Sequence, residues 1–183
     1  TGLGVGGLLP APGGGFSAIS GEGGHVTLAG ADDWEDAVLR ELRRKFGHAS
    51  AERALSGPGL VNLYQACATI VGEPYETLDA PAISRRAEEG SDPSCAQALD
   101  LFYRLLGSVA GDLALTLGAR RGIYIGGGIV PGLGEKMISK SDFRARFEAK
   151  GRYEDYLQKI PTFVIKAKSP PALRGAAQAL RQD

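Results

Sequence analysis

Cysteine, histidine and any excess of charge are scarce in this sequence, and each scarcity removes a class of function. Cys67 and Cys95 are the two cysteines, far apart and without neighbouring Cys or His. A disulfide framework or a structural zinc site is therefore not expected, and a reducing cytoplasm suits the chain. Lys plus Arg equals Asp plus Glu at 21 each, so nothing electrostatic points to nucleic acid or an anionic membrane as partner. No apolar run approaches the roughly 20 residues needed to span a bilayer. The start, Thr1-Gly2-Leu3-Gly4, has neither an initiator Met nor a charged-then-apolar signal region. It begins within a glycine turn, which suggests an excised piece. No fixed-period repeat is present.

Hydrophobic residues at 43 % and charged residues at 23 % suit one globular domain over 1–183, with no internal linker. Glycine is the outlier at 27 residues, clustered at 2–7, 13–15, 21–24, 57–59 and 126–128. Such clusters between periodic segments mark tight turns or close backbone approaches.

Residues 1–9 and 16–19, around a Pro/Gly turn, read as a β-hairpin, and 25–28 as another short strand. Helical periodicity then takes over. Asp32 or Asp33 caps a segment with Trp34, Val38, Leu42 and Phe46 on one face, closed by Gly47. Residues 50–55 form a short turn, with Ser50 able to cap it. Further helices are expected over 60–71, 81–89 and 93–117, the last capped by Asp92 and carrying Leu99, Phe102, Leu106, Val109 and Leu113. A strand at 122–125 precedes helices at 131–138, 142–149 and 153–158. A strand at 162–165 and a helix at 171–181 finish the chain. Strands joined by helices indicate α/β or α+β.

Four clusters could carry chemistry. The opening Thr1 to Gly7 can present amides and a hydroxyl to phosphate. It is neither a Walker A loop nor a dinucleotide fingerprint, because no Gly-Lys-Ser/Thr and no helix follow. A structural hairpin is the competing reading. In Gly21-Glu22-Gly23-Gly24-His25, a carboxylate and an imidazole can both bond hydroxyls, although an exposed loop explains them too. No second ligand lies at metal spacing. Glu52, before Ser56-Gly57-Pro58-Gly59, is either another hydroxyl acceptor or a solvated side chain on a corner. Gly126-Gly127-Gly128 ends an apolar run and precedes a helix. That suits a nucleotide at a strand's carboxyl end, or a plain turn.

Taken in order, TGLGVG (1–6), GEGGHV (21–26), SAERALSGPGLVNLY (50–64), IYIGGGIVP (123–131), FRARFEAKGRY (143–153) and RGAAQAL (174–180) resemble the bacterial-type glucokinase family of the actin/hexokinase superfamily. The resemblance implies the larger, C-terminal lobe of such an enzyme. That is a ribonuclease-H-like, actin-type ATPase lobe with a mixed sheet and several flanking helices. It also implies transfer of the ATP γ-phosphate to the 6-hydroxyl of glucose with Mg2+, in the cytoplasm, often by a homodimer. Glu22, His25 and Glu52 match the family's sugar-contacting positions. Thr1 and Gly2 match the phosphate hairpin, and Gly126, Gly127 and Gly128 the adenosine turn. The family's catalytic Asp and first phosphate loop belong to an N-terminal lobe that has no counterpart in these residues. No catalytic base is expected in this chain, and isolated it should not turn over. The zinc-bearing sugar kinases and repressors, with a Cys cluster after the histidine, are a poor match. A sugar-sensing module of a regulator and a kinase for another hexose stay open.

Overall fold

The computed structural model describes residues 2–130 and 135–166. Thr1, residues 131–134 and the segment 167–183 lie outside it. The expected helix at 171–181 and the RGAAQAL match therefore fall outside the described residues, as does the first half of the helix expected at 131–138.

Five helices form the body: α1 (Asp33–Phe46), α2 (Ala51–Ala54), α3 (Gly57–Val71), α4 (Ala80–Glu89) and α5 (Pro93–Leu117). Four of them are closed at both ends by local chemistry. The side chains of Asp32, Ser56, Asp79 and Asp92 accept from the amides of Glu35, Gly59, Ala82 and Cys95. Each cap satisfies a donor that the helix itself leaves orphaned. Gly47, Gly72, Gly90 and Gly118 end the same helices at positive φ, where a Cβ would be strained. The sequence reading started α3 at residue 60. It starts at Gly57, because Ser56 caps it and Pro58 suits the first turn. Ser50 stands at the start of α2, but its side chain makes no capping bond.

Helix α5 is the axis of the core, with Ala98, Leu101, Phe102, Tyr103 and Leu105 buried. Helices α3 and α4 pack on it, as does α7 (Phe143–Glu148). Helix α7 comes so close that a Cβ at Gly107 would overlap the carbonyl of Phe143, and one at Gly111 would lie 2.5 Å from that of Phe147. Two glycines one turn apart thus let two backbones touch. The described residues also form α6 (Glu135–Lys140) and α8 (Glu154–Gln158).

A buried ion cluster ties the same helices together. Glu35 on α1 is fully buried, 2.9 Å from Arg104 of α5 and 2.9 Å from Arg146 of α7. It also accepts the Ala31 amide at 2.8 Å. Arg104 pairs in addition with Asp32. The Glu35 amide is the largest influence on the Asp32 carboxyl, and with help from Arg104 it holds that group below its ordinary range against the opposing effect of burial.

Strands are few. β1 (Val5–Pro10) and β2 (Phe16–Gly21) pair antiparallel, with Leu8 opposite Ala18. β3 (Ile123–Ile125) and β4 (Thr162–Val164) pair parallel, with Tyr124 opposite Phe163. Both strand directions of a mixed sheet are present, in two separate two-stranded sheets among the described residues. The strand expected at 25–28 is instead a 3-10 turn, Gly23–His25, followed by a single antiparallel bridge between Thr27 and Ser50.

Candidate functional site

That bridge is what assembles the site. The Leu28 amide donates to Ala49 O, and the Ala51 amide donates to Val26 O, each at 2.9 Å. Residues 26–28 and 49–51 are thereby zipped together. His25 precedes one side of the zip and Glu52 follows the other, so two residues far apart in sequence face a common space. Thr27 Oγ1 and His48 Nε2 add a side-chain bond of 2.8 Å across it.

The space is a cavity of about 170 Å³ lined by His25, Phe46, His48, Ser50, Glu52 and Arg53. Its lining offers a carboxylate, two imidazoles, a hydroxyl and a guanidinium, a set able to bond several hydroxyls of one small polyol. Phe46 is not a free stacking platform. Arg53 lies over its ring at 4.1 Å and Lys45 at 5.0 Å.

Glu22 is exposed and starts the 3-10 turn, with its carbonyl accepting the His25 amide at 2.9 Å. It therefore stands beside His25, although it does not line the cavity. Gly24 in this turn is buried, and a Cβ there would overlap the carbonyl of Leu3. The glycine lets the chain entering β1 cross directly over the turn. Glu52 is half-buried and its Oε2 accepts the Leu3 amide at 2.9 Å. The opening segment at residues 2–4, the His25 turn and the Glu52 corner are therefore one assembly.

Gly126, Gly127 and Gly128 stand apart, exposed, at the carboxyl end of β3 in the other sheet. Gly127 has φ 110, and among the described residues no atom lies within 4 Å of where a Cβ would be at Gly127 or Gly128. Thr1, paired with Gly2 in the sequence reading, lies outside the described residues.

A larger groove of about 270 Å³ runs between α1 and α3. Its charges are already engaged: Arg44 with Glu41, and Lys45 with Asn62 and Gln65. We place the site at the smaller cavity, where His25 and Glu52, from two separate sequence motifs, meet. His48 and Arg53 are lining residues that sequence reasoning missed. Arg53 lies within the 50–64 stretch beside Glu52, whereas His48 stands in no motif and only the zip brings it beside His25.

Among the described residues no three His, Cys, Asp or Glu side chains are grouped to hold a metal ion. No described helix is long and apolar enough to cross a membrane.

The family model described as Glucokinase matches residues 1–183. A glucokinase from Aromatoleum aromaticum is 56 % identical over 98 % of this chain and 54 % of its own length. One from Nitrobacter hamburgensis is 51 % identical over 97 % of this chain and 54 % of its own. The chain thus spans about half the length of these curated relatives. The crystal structure of a glucokinase from an Antarctic psychrotroph superposes with a TM-score of 0.88 at 38 % identity. That match covers 100 % of this chain and 56 % of the solved one. A Balamuthia mandrillaris glucokinase, solved in complex with glucose, gives a TM-score of 0.77 at 25 % identity over 91 % of this chain and 48 % of its own. The α/β actin/hexokinase-type fold expected from the sequence is the fold these structures share with it. With its motifs, its fold and its full-length match to the family model all in agreement, the chain belongs to the glucokinase family.

Proposed function

We propose that the complete protein is an ATP-dependent glucokinase, and that these residues supply its sugar cavity and part of its nucleotide site. The observation that carries the reading is the meeting of His25 and Glu52 in one small polar cavity, with Glu52 also bonded to the glycine segment at residues 2–4. The glucose complex of the Balamuthia mandrillaris relative supports glucose as the sugar. In this reading Glu52 and Glu22 accept sugar hydroxyls, while His25 donates to or accepts from a third. Thr1, Gly2 and the neighbouring amides face the transferring phosphate. Gly126, Gly127 and Gly128 floor the adenosine, and their open backbone fits that group.

The chain's own contribution is orientation and exclusion of water, which lower the barrier by fixing the reacting hydroxyl against the phosphate. No general base is assigned here. A carboxylate elsewhere in the protein would take the proton of the 6-hydroxyl. Mg2+ accompanies ATP in such transfers. The complete protein would work in the cytoplasm, and a homodimer is its proposed assembly. The 183-residue chain would be one lobe, completed by an N-terminal lobe.

Coupled-enzyme detection of ADP tests the reading. The complete protein should release ADP only when glucose is present, and the 183-residue chain should release none. In calorimetry, Glu52→Gln should weaken glucose binding by about tenfold or more, the loss of a charge-assisted hydrogen bond. Unchanged glucose affinity in Glu52→Gln would remove Glu52 from the sugar site. A complete protein without glucose-dependent turnover would overturn the assignment as a whole.

A further inference from the structure

We propose that Glu52 is also a positioning residue, a link through which the sugar cavity and the glycine segment at residues 2–4, proposed above to face the phosphate, sense each other's occupancy. This rests on the reading of the two half-sites given above and adds a connection between them.

Three observations converge on it. First, one carboxylate serves both places: Glu52 lines the cavity, and its Oε2 accepts the Leu3 amide at 2.9 Å across 49 residues of sequence. A carboxylate has two oxygens and about four acceptor positions, so Oε1 stays available to a sugar hydroxyl while Oε2 holds the segment. Second, the carboxylate fills the space over Gly2, where a Cβ would fall on Oε2. Any side chain at position 2 must push Glu52 away from Leu3. Glycine at position 2 therefore serves the carboxylate as well as any phosphate.

Third, both ends of the link are backed by rigid structure. The Glu52 carbonyl accepts Ser56 Oγ at 2.8 Å, and Ser56 caps α3. The Ala51 amide is held by Val26 O. On the other side Leu3 packs against the core, with its carbonyl pressed on Gly24. Between these anchors the link consists of the Glu52 side chain and the segment before Leu3. A hydroxyl bound to Oε1 removes rotamer freedom from that side chain and so orders the Leu3 amide and the segment before it. A phosphate that orders the segment fixes the carboxylate for the sugar. The linkage must be reciprocal, because both ligands act on one equilibrium.

The test uses the complete protein and two probes, glucose and a non-hydrolysable ATP analogue, in calorimetric titrations of each alone and in the presence of the other. Wild type should bind glucose about fivefold or more tightly with the analogue present, and the analogue tighter by the same factor. Gly2→Ala should bring that factor close to one, although residue 2 does not line the cavity, and should also weaken glucose alone. Glu52→Asp gives a second route. Its shorter side chain keeps the charge at the cavity but withdraws from Leu3, so the factor should fall again. A wild-type factor of one, or a factor untouched in either variant while both ligands still bind, overturns the link and leaves the sugar site standing. A wild type that binds neither probe overturns the underlying reading together with the link.

Discussion

Around α5, helix ends are closed by side-chain caps and glycines, charges are paired, and backbones touch. In the β1–β2 hairpin almost the reverse holds. Residues 1–21 contain no charged side chain, yet Leu8 is 69 % exposed and Phe16 57 %. Every residue of β2 is exposed. The helical body is stabilised by contacts within the described residues, whereas the hairpin is attached mainly at its root, where Gly2, Leu3 and Val5 meet the Glu52 corner and the His25 turn. The candidate site lies at that root. Its ligand-facing groups are therefore set from the rigid side and reach toward the less supported one. The contrast suggests that stability and ligand binding in this chain are carried by largely separate residues.

The most damaging single change should be in the helical body, at Glu35. Glu35→Ala leaves Arg104 and Arg146 facing a buried void and orphans the Ala31 amide. Removing one partner of a buried ion pair typically costs about 3–5 kcal/mol. The low end applies here, because Arg104 and Arg146 keep 19 % and 17 % of their side chains in water. We expect a loss of about 3 kcal/mol in urea unfolding, and a smaller one for Glu35→Gln, which still accepts from Ala31. A loss below about 1 kcal/mol would show that both arginines reach solvent without Glu35, and would weaken the contrast between body and hairpin.

Next in size is the contact between α5 and α7. Alanine is a better helix former than glycine by about 1 kcal/mol, so propensity alone predicts that Gly107→Ala stabilises. The added Cβ would instead meet the Phe143 carbonyl, which is backbone and cannot swing aside. Overpacking of this kind costs about 1–3 kcal/mol. The net effect should be destabilising, seen as a lower urea midpoint with an unchanged slope. A rise in the midpoint would mean that α7 is held less tightly to α5 than the fold indicates.

Much of the helical body was legible in the sequence, because its signals are local. Asp92 and the apolar stripe of 93–117 lie within one segment, and that helix begins and ends where expected. The cap at Ser56 was read instead as part of a corner, since Gly-Pro-Gly is also turn chemistry. Glu35 stands in the first turn of α1, where an acidic residue ordinarily complements the helix dipole. Its place on the buried stripe with Val38, Leu39 and Leu42 was the available sign that it points inward. Its partners, one of them 111 residues away, leave no mark at that distance. At the site the motifs identified Glu22, His25 and Glu52 as residue types suited to hydroxyls. Nothing local could show that Glu52 reaches Leu3 or that His48 joins the cavity, because both depend on a bridge between separate segments. The strand expected at 25–28 failed for the same reason: its apolar residues serve one bridge, not a ladder.

The smallest expected effect is on the hairpin. Leu8→Thr keeps strand propensity and removes an apolar side chain that makes little use of its apolarity while 69 % of it faces water. Exposed substitutions of this kind stay within about 0.5 kcal/mol. Leu105→Ala is the matched control in the body, since Leu105 is fully buried and such truncations cost about 2–5 kcal/mol. In the 183-residue chain the two losses should differ severalfold by urea unfolding. Repeating Leu8→Thr in the complete protein turns the same measurement into a probe of what lies over the hairpin. If the loss stays small there, this face of β1 is solvent-exposed in the whole molecule. If it grows toward the Leu105→Ala value, other parts of the protein cover Leu8. The contrast between body and hairpin would then be a property of this chain alone, with the hairpin as the place where the rest of the protein adds to its stability.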